Sequence, residues 1–142
     1  GIRVPLLFHW PARFTEPAVF DTAVTTLDLF PTFCAVAGAK VSQETHLDGL
    51  NLMPFLYPNS ADFPERELFW FSGPSGAVRQ GDWKLVFEKK SVVGLYNLAE
   101  DPAEAYDLAE KNPEIADRLF ARVRDWRRQV PPPVTPRKNL NK

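Results

Sequence analysis

Between residues 67 and 98 the chain alternates short apolar runs with turn signals, and this pattern restricts the fold more than any other feature. Glu67-Leu68-Phe69-Trp70-Phe71 reads as one strand, ended by Gly73-Pro74-Ser75-Gly76. Ala77-Val78-Arg79 and Trp83-Lys84-Leu85-Val86-Phe87-Glu88 predict a hairpin around Gln80-Gly81-Asp82, with Trp83, Leu85 and Phe87 alternating onto one face. Lys89-Lys90-Ser91 makes a further turn, and Val93-Gly94-Leu95-Tyr96-Asn97-Leu98 returns as the last strand. Turns this short join antiparallel neighbours, so the segment is a meander. Its apolar face needs a cover, and the sequence downstream supplies one. Asn112-Pro113 reads as an N-cap followed by proline at the first helical position. Ile115, Leu119, Val123, Trp126 and Val130 then recur as a single amphipathic stripe, stopped by Pro131-Pro132-Pro133. The expected class is α+β: a four-stranded antiparallel sheet packed by a long C-terminal helix.

The N-terminal part reads differently. Residues 4–10 form a nearly continuous apolar run closed by Trp10-Pro11, the pattern of a strand buried on both faces, with Pro5 on its first rungs. A helix is expected over residues 28–37, where Leu27, Phe30, Cys34 and Ala37 recur at helical spacing beside a second stripe of Leu29, Phe33 and Val36. Two stripes imply burial over most of its circumference. Thr25-x-x-Asp28 fits a capping box, but Asp28 is the preferred N-cap, because Pro31 then falls at the third helical position, whose N–H is free anyway. Gly38 is the expected left-handed stop. Residues 39–64 read as irregular, with a turn at Asp48-Gly49, apolar anchors at Leu50, Leu52, Met53, Phe55 and Leu56, and a loop at Pro58-Asn59-Ser60.

Composition narrows the function. Seventeen basic against eighteen acidic residues give a formal net charge of -1, which argues against a dedicated nucleic-acid or membrane-surface partner. The 44% hydrophobic and 13% aromatic content is enough for a core. One cysteine, Cys34, excludes an internal disulfide framework, and its place in the helical stripe makes it a buried small hydrophobe. His9 falls in the apolar run and reads as a core histidine; His46 beside Asp48 is weak evidence for acid–base chemistry. Arg118, Arg122, Arg124, Arg127 and Arg128 crowd the last helix, but Asp117 and Asp125 interrupt them and no aromatic is interleaved for base stacking. They read as a solvated face with cations toward the helix C-terminus. Ser72 to Gly76 fails the G-x-S-x-G pattern of a nucleophile elbow, and Asp101-Pro102-Ala103-Glu104 has too few oxygens for a calcium loop. The residues themselves thus point to no catalytic and no metal position. With no initiator Met, no basic and apolar leader and no apolar run near 18 residues, the chain reads as the interior of a longer protein.

Five landmarks in order resemble the C-terminal portion of the sulfatase family, the arylsulfatase-like enzymes of the alkaline-phosphatase superfamily. Gly1-Ile2-Arg3-Val4-Pro5 with Trp10-Pro11 is similar to the family's G-[ITV]-R-x-P strand and W-P-G, with Ala12 in place of glycine. Thr26-Leu27-Asp28-Leu29-Phe30-Pro31-Thr32 with Ala37-Gly38 resembles its T-x-D-[LI]-x-P-T helix, and Asp48-Gly49-Leu50-Asn51-Leu52 its D-G-x-x-L turn. Val78-Arg79-Gln80-Gly81-Asp82-Trp83-Lys84 resembles V-R-x-G-x-[WY]-K. Leu95-Tyr96-Asn97-Leu98, Asp101-Pro102-Ala103-Glu104 and Asp107-Leu108 resemble L-Y-D-L-x-x-D-P-x-E-x-x-N-L, with Asn97 and Asp107 as departures.

The resemblance implies sulfate-ester hydrolysis by a formylglycine nucleophile made within C-x-P-S-R, with calcium held by Asp and Asn side chains. These residues lie upstream of the position matching Gly1, and Cys34, followed by Ala-Val-Ala, does not match the modified residue. Carry-over therefore yields no catalytic residue, no metal ligand and no cofactor within this chain, which is expected to be inactive alone. Arg3 is at most a supporting residue behind the site. The loop from Ser72 to Arg79 is the candidate rim of the substrate pocket, through Ser72, Ser75 and Arg79. Residues 1–64 are expected to be the terminal strand, helix and connection of the large α/β domain, 65–130 the C-terminal α+β subdomain, and 131–142 a mobile Pro-rich basic tail. The implied partners of the parent are a sulfated small molecule or a glycan, with self-association through the exposed apolar strand and helix. Many family members are exported, so a periplasmic or secreted parent is the expectation. The competing reading is a non-catalytic module that binds carbohydrate or a protein through Phe69-Trp70-Phe71.

Overall fold

The alternating segment forms four strands, β1 (Glu67–Ser72), β2 (Ser75–Gln80), β3 (Trp83–Glu88) and β4 (Ser91–Asn97). They pair antiparallel in the order β1-β2-β3-β4. The computed structural model describes residues 2, 4–42, 44–57 and 62–130. It divides into two compact units, Gly1–Phe63 and Pro64–Lys142.

In the second unit the register lines up Phe69, Val78, Leu85 and Leu95 across the sheet. The cover on this face is the C-terminal helix, Pro113–Gln129, called α2 below; α1 is Leu29–Ala37 of the first unit. Val78, Leu85, Phe87, Leu95, Ala116, Leu119 and Val123 form the core, with Trp83 packed against it. Each fully buried Leu or Phe contributes about 1.5–3 kcal/mol, so this face is the main source of the unit's stability. At the sheet margin, Trp126 of α2 stacks on Phe69 and Phe71, with ring centroids 5.0 and 4.9 Å apart.

Three two-residue turns connect the strands, each with positive φ at its first residue: Gly73 (61°), Gly81 (56°) and Lys89 (55°). This is the hairpin geometry that matches strand twist. It also lengthens β2 beyond the expected residues 77–79, since Ser72 pairs with Ser75 and the turn is only Gly73-Pro74. Gly76 therefore lies in a strand, where a Cβ would meet Phe87 Cζ at 2.5 Å. Asn112 precedes α2 as expected, yet its side chain does not cap the helix; Nδ2 donates back to the Leu108 carbonyl at 3.2 Å.

The first unit holds a 3-10 turn (Thr26–Asp28), α1 and a second 3-10 turn (Met53–Phe55). Gly38 ends α1 in the left-handed conformation, φ 65°. Asp28 is the N-cap residue of α1, as expected, but it has helical dihedrals and its side chain makes no cap bond there. Its carboxylate instead accepts the Thr25 N–H at 2.8 Å, the reach-back half of the capping box. Residues 4–10 form no strand, because a strand exists only beside a partner and none pairs with them among the described residues. Val4 and Leu7 are 75% and 90% exposed, and His9 is exposed rather than a core histidine. Likewise α1 is not buried around its circumference: Phe30 and Phe33, and Leu27 in the turn before them, keep more than half of their surface, and Cys34 is half-buried. The expected tail at 131–142 and the loop at 58–60 lie outside the described residues. Among the described residues no helix is long and apolar enough to cross a membrane.

Candidate functional site

The residues of the sequence landmarks meet in three polar clamps. In the first, Asp28 accepts the Leu50 N–H at 2.8 Å as well as that of Thr25. One helical turn on, the buried Thr32 hydroxyl donates to the Asp28 carbonyl at 2.6 Å and accepts the Leu52 N–H at 2.9 Å. The i, i+4 spacing of Asp28 and Thr32 thus docks Leu50 and the fully buried Leu52 onto the start of α1. Gly49 is required there, since a Cβ would come within 2.8 Å of the Asp28 nitrogen.

In the second clamp, Lys84 projects from β3 on the sheet face opposite α2, and its Nζ bonds both oxygens of Glu104 at 2.5 and 2.6 Å. Glu104 has a left-handed backbone, φ 58°. In the third, Asp107 accepts the N–H groups of Leu95 and Ala109 at 2.9 Å, while the Leu108 N–H donates to the Leu95 carbonyl at 2.8 Å. Between these, Asp101 accepts the Tyr106 N–H at 2.9 Å. That bond, ahead of an opposing desolvation and further N–H bonds from Ala105, Ala103 and Glu104, holds its carboxyl below the usual carboxylate value. Burial, then the charges of Asp107, Glu104 and Asp101, push Tyr96 upward.

The candidate rim residues are only partly brought together. Ser72 and Ser75 face each other across the Gly73-Pro74 turn, Ser72 exposed and Ser75 half-buried. Arg79 shares their sheet face but lies roughly 13 Å further along β2 by strand rise. Its Nε donates to the Gly81 carbonyl at 2.8 Å, so it braces the next turn. Arg3 lies outside the described residues.

Other candidates have structural partners. Arg118 bonds Gln80, Arg122 bonds Glu67, Arg128 bonds Asp125, and Arg124 and Arg127 lie over the rings of Phe120 and Phe71. His46 Nε2 approaches Asp48 Oδ1 at 3.4 Å, with both side chains on the surface. In the first unit two shallow hollows, about 350 and 300 Å³, share Trp10, Val36 and Met53. Arg13 and Tyr57, which pattern reading did not single out, line the larger one. Its sequence signals were the close of the apolar run at Trp10-Pro11, Val36 in the second helical stripe and the apolar anchor Met53. Among the described residues, no group of three or more His, Cys, Asp or Glu side chains comes together to hold a metal ion.

A family model described as N-sulphoglucosamine sulphohydrolase, C-terminal, matches residues 1–129. The chain belongs to this sulfatase family. This sulfatase C-terminal chain is 30% identical over 152 residues to arylsulfatase A of Bos taurus, covering 87% of the chain and 29% of the relative. Arylsulfatase A of Homo sapiens is 32% identical over 151 residues, with 84% and 29% covered. A sulfatase of Formosa agariphila is 31% identical over 149 residues, with 89% and 27% covered. Among solved structures, Ps i-CgsB aligns with a TM-score of 0.60 at 29% identity, over 72% of this chain and 24% of that one. BT1596, a 2-O GAG sulfatase, aligns with a TM-score of 0.56 at 28% identity, over 73% and 24%. The sulfatase chain therefore spans less than a third of the curated relatives named here.

Proposed function

We propose that this chain is the C-terminal portion of a sulfuric ester hydrolase whose nucleophile and calcium ligands are contributed by further sequence of the parent protein. The match of the family model over residues 1–129 carries this reading. Two physical observations support it. The landmark residues Asp28, Thr32, Lys84, Glu104 and Asp107 serve as clamps that hold the backbone. The apolar face of α1, with Phe30, Phe33 and Val36 exposed, and Leu27 in the turn before it, suits the edge of a larger α/β layer. The described residues do not fit calcium, because they assemble no donor cluster, and no catalytic step is assigned to them.

A sulfated small molecule or a glycan is the substrate class for the parent. Similarity to BT1596, a 2-O GAG sulfatase, and to Ps i-CgsB, crystallised with k-i-k-neocarrahexaose, supports the glycan arm. Ser72, Ser75 and Arg79 remain the proposed rim residues, with the hairpin tip at Ser72 and Ser75 the more accessible part. The competing use of Phe69-Trp70-Phe71 as a binding strand is weakened, since Trp126 already stacks on two of its three rings. The test is hydrolysis of an aryl sulfate with added calcium, by this chain and by the parent. Turnover is expected from the parent only. Turnover by this chain alone, or a parent coding sequence without C-x-[PA]-S-R, would overturn the proposal.

A further inference from the structure

The two ends of the second unit carry opposite charge. At one end the Leu98 N–H donates to the Asp82 carbonyl at 2.8 Å, which sets the β2–β3 turn beside the segment holding Glu100, Asp101, Glu104 and Asp107. At the other end the Lys89 N–H donates to the Pro74 carbonyl at 2.7 Å and ties the β1–β2 and β3–β4 turns together. The C-terminal half of α2 reaches this second end, since Trp126 stacks on Phe71, two residues before Gly73. Lys89, Lys90, Arg124, Arg127 and Arg128 therefore gather here against Glu88 and Asp125, in a chain whose net charge is -1. Asp125 is taken by Arg128, and Glu88, opposite Ser75, follows the core residue Phe87 and so points to the sheet face away from α2. Two of the cations are held in place with no acidic partner. The Arg127 guanidinium lies over the Phe71 ring at 5.3 Å and that of Arg124 over the Phe120 ring at 5.7 Å. Phe87 joins the two rings, its centroid 5.2 Å from Phe71 and 6.2 Å from Phe120. Among the described residues no carboxylate meets either arginine. The helix dipole favours cations in this last stretch of α2 but does not fix them over rings. A guanidinium stacked on a ring uses its face and leaves its edge N–H groups for an oxyanion.

We propose that Arg124 and Arg127, with Lys89 and Lys90 beside them, bind the sulfate groups of a sulfated glycan. A sulfate ester is a weakly hydrated monoanion with three free oxygens, which suits the forked and weakly hydrated guanidinium better than an ammonium. Arg124 and Arg127 are neighbours on the helix, their Cβ atoms about 5–6 Å apart. Successive sulfates of one glycan meet successive cations across the end of the sheet, and such multiple attachment raises affinity without a deep pocket. Nucleic acid fits less well, because Phe71 and Phe120 are already occupied by the two arginines and offer no face for base stacking. The inference rests on the glycan arm of the hydrolase reading and deepens it, by naming residues on the α2 side of the hairpin end that recognise the sulfates.

Titration calorimetry of the 142-residue chain with a heparin hexasaccharide at low salt tests it, with the desulfated hexasaccharide and a single-stranded RNA hexamer as further probes. The sulfated sugar is expected to bind and the other two to bind at least about tenfold more weakly. Arg124→Gln with Arg127→Gln should weaken the sulfated sugar at least about tenfold and lower the slope of log K against log salt by about one to two. Arg127→Gln alone should cost about threefold, and Arg118→Gln, the same change of charge at the other end of α2, should stay within about twofold of the unsubstituted chain. An Arg118→Gln loss equal to that of Arg127→Gln would make the effect one of net charge. Undiminished binding by the double variant would put the anion elsewhere, and equal binding of the RNA or of the desulfated sugar would show a surface not selective for sulfate. Each of these, or no binding by the unsubstituted chain, overturns the inference. Retained amide protection at Leu85 shows that a variant folds. If the double variant does not, the amide chemical shifts of the unsubstituted chain decide: they should move at Lys89, Arg124 and Arg127 on titration, and shifts that spare these residues overturn the inference. A parent without C-x-[PA]-S-R would sink the hydrolase reading and leave this binding measurement as it stands.

Discussion

Replacing Glu104 by glutamine should destabilise the sheet unit by about 2 kcal/mol, an expectation worked from the burial of its partner. Lys84 keeps 11% of its side-chain exposure and Glu104 keeps 32%. Removing one member of a fully buried ion pair costs about 3–5 kcal/mol, because the other charge is left without a partner. Glu104 retains about a third of its surface, so water reaches the vacated position and the cost drops below that range, to about 2 kcal/mol. Glutamine has the same length and tolerates the left-handed backbone no better or worse, so the comparison isolates the charge. Lys84→Met keeps the apolar stem and leaves a carboxylate that solvent can reach, for about 1 kcal/mol. The double variant should then cost no more than about 1 kcal/mol, a coupling of about 2 kcal/mol between the two positions. Urea denaturation followed by the fluorescence of Trp83 and Trp126 measures all three, with exchange at the Leu85 amide as a check on the sheet. If Glu104→Gln lies within about 0.5 kcal/mol of the parent sequence, or if the single effects add, the pair behaves as an exposed salt bridge and the clamp argument fails.

Three further outcomes are expected. Asp28→Ala strips acceptors from the N–H groups of Thr25 and Leu50 and should cost the first unit about 2–4 kcal/mol, read as lost amide protection at Leu50 and Leu52 with Leu85 unaffected. Asp101 has its pKa lowered from 3.8 by N–H bonds, so the stability it contributes is present above that value and is lost as pH falls through the lowered one. Asp101→Asn should therefore flatten the fall of Tm in acid below about pH 4, and an unchanged acid limb counts against the bond from Tyr106. Gly76→Ala forces the new methyl against the Trp70 carbonyl and the Phe87 ring, and should lower stability by about 1–3 kcal/mol in urea; a neutral result would mean that Phe87 is free to move aside.

The meander and its covering helix were legible because both rest on local periodicity. Trp83, Leu85 and Phe87 alternate, and Ile115 to Trp126 repeat at helical spacing, and each pattern was realised. Asp28 shows where such reading stops. Its best capping role depends on Leu50, distant in sequence, whose N–H pulls the carboxylate away from the α1 cap. The rim candidates show the same limit: Ser72 and Ser75 meet because the turn has two residues, while Arg79 is carried off along the strand. Sequence order also did not reveal that the lysine of one landmark pairs with the glutamate of another.

By itself the sequence determined the element types of the sheet and its covering helix, the antiparallel order, the α+β class and the family resemblance that the comparison bears out, since propensity, turn chemistry and spacing are properties of short segments. Tertiary structure alone decided which polar groups became partners, which sheet edge was covered and which apolar runs were left facing water. Residues 4–10 and α1 carry the composition of buried elements, but burial is a relation between surfaces, and a segment cannot specify the surface that covers it.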